Sequence, residues 1–326
     1  MNDILISTRL LTKQYAAPGS LFRERLSERK AVDAVSLDVK RGEVLGVVGE
    51  SGCGKSTLGR MIVRLLPSTS GSIIYDGKDI TDISDTKALR RQMQIVFQDP
   101  YGSLNPWMTV YKLVAEPMEI HKLCPKSEMP GRVTSLLDKV GLSQVAFDRY
   151  PHQLSGGQRQ RLCIARALSV SPEFLLCDEP VSALDVSVQS QILNLLIDLQ
   201  RDMGLTYIFI SHNLAVIRNI ADRVAVMYLG RLVEVSPADD FFSSPAHPYS
   251  RALLDAAPEP EIGRQSRRKI VPVLGEATHT GSPSKGCEYY PRCPRREDIC
   301  TRSQPELSDL GGGHCVACHF PGSDER

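Results

Sequence analysis

Residues 49–57, Gly49-Glu50-Ser51-Gly52-Cys53-Gly54-Lys55-Ser56-Thr57, keep the spacing GxxxxGK[ST] between an apolar run and a helical pattern. The chemistry this spacing serves is phosphate binding. Glycines let consecutive backbone N–H groups turn inward around phosphate oxygens, and a helix start adds partial positive charge. Lys55 would neutralise the β- and γ-phosphates, and the Ser56 hydroxyl would ligate Mg²⁺. Further along, Phe174-Leu175-Leu176-Cys177 reads as a buried strand that ends in two carboxylates. Asp178 would hold Mg²⁺ through water and Glu179 would polarise an attacking water. An acid pair at a helix start has a blander origin too, since such residues suit that position anyway. The phosphate loop elsewhere in the chain favours the catalytic reading. Leu154-Ser155-Gly156-Gly157-Gln158 opens another helical pattern, with Ser155 as its cap. It is a second anion-binding helix start, and one phosphate chain does not need two from the same subunit.

These groups need rigid supports. Strand patterns run through Ile4–Leu11 towards Tyr15, Ala31–Val39, Glu43–Val48, Gln94–Phe97, Glu173–Cys177, Leu205–Ile210 and Arg223–Tyr228. A helix is expected from about Ser56 with Leu58, Met61, Ile62 and Leu65 on one face. Strand and helix alternation predicts an α/β fold, a mainly parallel sheet covered by helices on both faces. Residues 100–168 read as a helical subdomain inserted into a sheet domain of residues 1–240. Prolines at 237, 245, 248, 258 and 260 then lead into a separate tail, 241–326. Residues 16–30 read as an exposed, charged excursion. There is no internal repeat.

Composition narrows the classes. Hydrophobic residues at 42% and charged residues at 24% of 326 describe a globular chain long enough to build its core without disulfides. The balance of 39 basic against 38 acidic residues provides no field for steering nucleic acid, and no nucleic-acid partner is expected. Apolar runs such as Phe174–Cys177 fall far short of the about 20 residues that span a bilayer. Met1–Leu11 lacks the pattern of a secretory signal, so a cytoplasmic setting is expected. Five of nine cysteines (Cys287, Cys293, Cys300, Cys315, Cys318) crowd one C-terminal window, which in a reducing compartment points to metal ligation.

The stretch 154–158 reproduces the LSGGQ motif, and with it the chain resembles the ABC ATPase family. The resemblance implies an ABC-type P-loop fold with N-terminal antiparallel strands, ATP and Mg²⁺ as ligands, and two ATPs sandwiched between two chains. It implies that Ser155, Gly156, Gly157 and Gln158 meet the γ-phosphate of the nucleotide held by the opposite subunit, which explains the surplus loop. By the same resemblance Tyr15 stacks on adenine and Gln98 senses Mg²⁺ and links the site to membrane subunits. Ser182-Ala183-Leu184-Asp185 is the D-loop, and His212 contacts the γ-phosphate as the switch histidine. The family commonly has His-Asp where this chain has His212-Asn213, a departure expected to be tolerated. With every motif intact, hydrolytic competence is expected.

Three stretches resemble the ATPase subunits of dipeptide and oligopeptide importers: residues 98–106 (QDPYGSLNP), residues 178–187 (DEPVSALDVS) and His247-Pro248-Tyr249. The charged excursion resembles the second of the two ATPase subunits such importers carry. The implied partners are a paralogous ATPase subunit, two transmembrane permeases and, through them, an extracytoplasmic solute-binding protein, at the cytoplasmic face of the inner membrane. Peptides are the usual cargo, with nickel complexes or sugars as alternatives. A soluble ABC ATPase acting on DNA or ribosomes is disfavoured because the chain has neither heptads nor a second phosphate loop. Cys287, Cys293, Cys300 and Cys318 match the positions that hold a [4Fe–4S] cluster in several members, a set of four thiolates. Cys315 and Cys318, with His314 and His319 beside them, also suit Zn²⁺. The basic clusters Arg264–Lys269 and Arg292–Arg296 read as solvated charge, with contact to partners as the alternative.

Overall fold

Runs of β-branched and apolar residues form most of the strands of the chain, whose computed structural model describes residues 3–15, 29–143, 146–256 and 285–322. The expected excursion at 16–30 (but for its last two residues), the cluster 264–269 and the prolines at 258 and 260 lie outside the described residues. The strands are β1 (Ile4–Tyr15), β2 (Arg29–Lys40), β3 (Val44–Val48), β4 (Ser70–Tyr75), β5 (Lys78–Asp79), β6 (Met93–Val96), β7 (Phe174–Asp178), β8 (Thr206–Ile210), β9 (Arg223–Tyr228), β10 (Arg231–Pro237), β11 (Ser308–Asp309) and β12 (Cys315–Val316). The chain packs as two compact units, one of Met1–Val39, Val44–Thr81 and Ile210–Arg326, the other of Lys40–Glu43 and Asp82–Phe209.

In the first unit a four-stranded sheet has the order β2-β1-β4-β5, and a second run of strands has the order β11-β12-β10-β9-β3. β3 pairs with β9 in parallel, Leu45 against Arg223 through Val48 against Val226. From β9 outward the pairing is antiparallel. β3 is buried along its whole length, and the helix Lys55–Ile62 buries Leu58, Met61 and Ile62. An isolated helix of this length does not persist in water, so packing sustains it; each buried aliphatic side chain contributes about 1.5–3 kcal/mol. The helix is shorter than its periodicity predicts. It ends at Ile62, Arg64 takes a left-handed φ of 57°, and Leu65 is 42% exposed instead of joining the buried face.

In the second unit the strand order is β8-β7-β6, with β6 and β7 parallel from Met93 against Phe174 to Val96 against Cys177. Residues 100–168 contain the helices Pro100–Ser103, Val110–Ile120, Met129–Lys139 and Gly156–Leu168. Pro117 sits inside the second of these. Arg166 ties the segment together, donating to the Ser103 carbonyl at 2.9 Å and the Glu116 carboxylate at 3.1 Å. The helix Val186–Met203 buries Ile192, Leu193, Leu196 and Leu199 and closes on Gly204 in the left-handed region.

Strands β4, β5 and β10, and the two-residue β11 and β12, were not anticipated. β4 and β5 are short and half exposed, and β10 carries Glu234 at its centre, so none has a clean apolar pattern. Among the described residues no helix is long and apolar enough to cross a membrane.

Candidate functional site

In the first unit the phosphate loop leaves the buried end of β3 and turns into the helix Lys55–Ile62. Gly54 adopts φ 108°, and a Cβ there would lie 2.1 Å from the Ala31 carbonyl oxygen. Only glycine allows that combination of sign and closeness. Lys55, 5% exposed, donates from Nζ to the carbonyls of Gly49 and Glu50, each at 2.8 Å. The loop thus holds its own lysine over its mouth, near where phosphate oxygens would take over as acceptors. Cys53 lies beneath, its thiol pushed up by burial. Ser51 and Gly52 are exposed, and Gly49, Ser56 and Thr57 are buried or half-buried.

His212 follows β8 and is exposed. The Ser211 N–H donates to the Val47 carbonyl at 3.2 Å, which holds the histidine's neighbour two residues upstream of the phosphate loop. Tyr15 ends β1 with 46% of its surface exposed, and the Lys13 ammonium lies 5.4 Å from its ring centroid.

The second unit carries the carboxylates. Asp178 is buried at the end of β7 and Glu179 is half-buried just beyond it. Glu179 has a φ of 49°, an uncommon and strained conformation for a residue that carries a Cβ. The Ser182 N–H and hydroxyl both donate to its carbonyl, at 3.3 and 3.1 Å. Because β6 and β7 run in parallel register, Gln98 leaves β6 on the same edge, and its Nε2 donates to Glu179 Oε2 at 3.2 Å.

The second glycine-rich start is an intact capping box. Ser155 Oγ accepts from the Gln158 N–H at 3.3 Å, and Gln158 Oε1 accepts from the Ser155 N–H at 3.0 Å. Ser155, Gly156 and Gln158 are exposed. Gly157 faces the helix Val186–Met203 so closely that a Cβ would stand 2.5 Å from Val188 Cγ1. Asp185, exposed, precedes that helix, and its carbonyl accepts from the Gln189 N–H at 2.8 Å.

In the C-terminal region Cys287, Cys293, Cys300 and Cys318 line one cavity with His247, Tyr289 and His319. Burial pushes the Cys287 thiol up to about 11 and raises Cys293 and Cys318 as well. Among the described residues, however, no three His, Cys, Asp or Glu side chains are gathered so as to hold a metal ion. The four expected cluster ligands thus share a cavity without being drawn into a ligand set. For Zn²⁺ the histidines are engaged elsewhere: His314 Nε2 lies 2.8 Å from the Glu234 carboxylate and His319 Nε2 lies 2.9 Å from the Ser303 carbonyl. Cys315 lies on β12 opposite Val235.

Several residues escaped the sequence reading. Glu234 is fully buried and its two carboxylate oxygens accept from the backbone N–H groups of Ala246 and His247, both at 2.8 Å. A charge at the centre of an otherwise apolar strand was the available signal. The cluster 292–296 is not simply solvated: the Arg292 side chain is 9% exposed and pairs with Glu50, and Arg295 donates to the Gly322 carbonyl at 2.7 Å. Tyr249 of the His-Pro-Tyr motif is buried, and its hydroxyl accepts from the Glu50 N–H at 2.9 Å.

Residues 32–182 match the family model described as ABC transporter, and residues 233–300 match the one described as the C-terminal region of oligopeptide/dipeptide transporters. Over 321 residues the chain is 49% identical to a probable peptide ABC transporter ATP-binding protein, y4tS, of Sinorhizobium fredii, covering 98% of this chain and 90% of that one. It is 47% identical to the dipeptide transport ATP-binding protein DppF of Escherichia coli, covering 97% and 94%. Among solved structures it is similar to the ATP-binding cassette MJ0796, a dimer in a post-hydrolysis state with ADP and Pi. That likeness has a TM-score of 0.64 and 29% identity, over 72% of this chain and 99% of the other.

Proposed function

The chain belongs to the ABC transporter ATPase family, and from that premise we propose that it is the ATP-hydrolysing subunit of an importer of dipeptides and oligopeptides. One observation carries the reading. The chain has two glycine-rich helix starts, the one around the buried Lys55 and an exposed one at Ser155 whose cap is already satisfied by Gln158. The second start serves the ATP of another ATPase subunit, a paralogue by the resemblance of this chain to the second type.

Each side chain then has a task. Backbone N–H groups of the loop and Lys55 bind the phosphates, Tyr15 stacks on adenine, and His212 meets the γ-phosphate. Ser56, Gln98 and Asp178 offer the oxygen donors that hard Mg²⁺ prefers, and when bound the ion draws charge from the phosphate oxygens. Glu179 polarises the attacking water while Gln98 holds its carboxylate. Asp185 borders the opposite subunit.

In this reading residues 1–240 are the ATPase domain with the helical insertion at 100–168, and 241–326 are an extension. The subunit sits at the cytoplasmic face of the inner membrane on two permeases fed by a solute-binding protein. The extension binds a [4Fe–4S] cluster. Four thiols lining one cavity support that assignment, and they must close towards one another to ligate it. Visible absorbance of anaerobically purified protein tests the cluster; iron-free, zinc-loaded protein overturns it.

The function is tested with the transporter purified together with its permeases and reconstituted in vesicles. ATP-dependent uptake of labelled peptide is expected. Failure to copurify with polytopic membrane proteins, or ATPase activity stimulated by DNA or ribosomes, sinks the reading.

A further inference from the structure

Glu50 is an acidic residue inside a loop that must receive a polyanion. Unpaired, its carboxylate would oppose phosphate at short range. Its partner comes from the far C-terminal end of the chain. Arg292 Nη1 and Nη2 donate to Glu50 Oε2 and Oε1 at 3.1 and 2.9 Å, a bidentate fork. The guanidinium carbon lies 5.8 and 6.0 Å from the ring centroids of Tyr228 and Tyr289, so aromatic faces hold the fork in place. The same Glu50 donates its N–H to Tyr249 Oη, and its carbonyl accepts from Lys55 Nζ. One loop residue therefore joins the phosphate-binding lysine to two side chains of the C-terminal region. Arg292 ends the short turn Tyr290–Arg292, immediately before Cys293 of the thiol-lined cavity.

We propose that Arg292 is a positioning residue for the ATP site: it neutralises Glu50, holds the phosphate loop in its binding conformation, and makes nucleotide affinity depend on the C-terminal region. The physical case has two parts. A loop with left-handed glycines at 49, 52 and 54 has conformational freedom to lose on binding, and a tether that removes it beforehand strengthens binding. Charge neutralisation removes the repulsion at the same point. The proposal rests on the ATP-binding reading of residues 49–57.

The test is fluorescence titration of the full-length chain with mant-ATP and Mg²⁺, in four forms: unaltered, Arg292→Ala, Glu50→Gln, and both together. Arg292→Ala should weaken binding about tenfold in the unaltered background. In the Glu50→Gln background the same change should cost less than about twofold, because no carboxylate remains to be neutralised. Arg292→Lys, which keeps charge but loses the fork, should fall between. Equal losses in both backgrounds mean that Arg292 supports the fold only, and that overturns the proposal, as does an Arg292→Ala that binds like the unaltered chain. Should Arg292→Ala fail to fold, Arg292→Lys in the two backgrounds decides by the same comparison: loss only where Glu50 is present supports the proposal, and no difference overturns it. Unaltered protein that does not bind mant-ATP would instead remove the ATP reading itself.

Discussion

Gln98 Nε2 donates to Glu179 Oε2 across 3.2 Å, a contact made possible by the parallel register of Val96 with Cys177. The glutamine therefore orients the carboxylate from a neighbouring strand while the backbone of Glu179 is held in a left-handed φ of 49°. Glu179→Gln keeps the shape and removes the base. Steady-state hydrolysis by the reconstituted transporter should fall by about 10²-fold or more, with nucleotide binding retained. Unchanged turnover would exclude Glu179 as the group that activates water in this subunit's site.

Gly54→Ala asks for a Cβ 2.1 Å from the Ala31 carbonyl oxygen at a φ of 108°. Strain of this kind costs about 1–3 kcal/mol before any clash is relieved. MgATP binding should become undetectable at concentrations that saturate the native chain, as read by equilibrium titration.

Gly157→Ala pushes the LSGGQ stretch, residues 154–158, away from Val188, since the new methyl would stand 2.5 Å from Val188 Cγ1. The expected result is split. Binding of MgATP to the isolated chain persists, and ATP-dependent association with the second ATPase subunit, followed by light scattering, is lost.

His247 is buried, and burial lowers its pKa from 6.5 to about 3. Between those values the unfolded chain takes up a proton that the folded chain refuses, so stability falls as pH drops below 6.5 by roughly 1.4 kcal/mol per unit. Above 6.5 this contribution vanishes. Nδ1 of His247 accepts from the Tyr249 N–H at 3.0 Å, a role an asparagine oxygen can take. His247→Asn should therefore narrow the difference in Tm between pH 7.5 and pH 5; an undiminished difference would assign the acid sensitivity to other groups.

Removing the buried Glu234 carboxylate strands two backbone N–H groups, those of Ala246 and His247. Glu234→Ala should cost about 2–5 kcal/mol in denaturant unfolding. Loss of less than about 1 kcal/mol would mean that water replaces the carboxylate.

Much of the architecture was readable because it is local. Strands β3, β6, β7, β8 and β9 announced themselves as apolar runs, and the loop at 49–57 announced itself by spacing. β4, β5 and β10 were invisible because half-exposed or charge-bearing strands carry little periodic signal, even though β5 pairs with the neighbouring β4 and β10 with the neighbouring β9. The helix from Lys55 looked longer than it is, since periodicity counts Leu65 without knowing that Arg64 turns the chain away.

By itself the sequence determined which chemistry the chain carries, because phosphate loops, paired carboxylates and glycine-rich helix starts depend on residue type at short spacing. Tertiary structure alone decided what surrounds them. The partnership of Glu50 with Arg292 spans 242 positions, and the Glu234 carboxylate reaches His314 over 80. Such pairings arise when strands and loops pack, and no local rule specifies them. Likewise, four cysteines that the family resemblance matched to cluster positions became four thiols around one cavity only through folding.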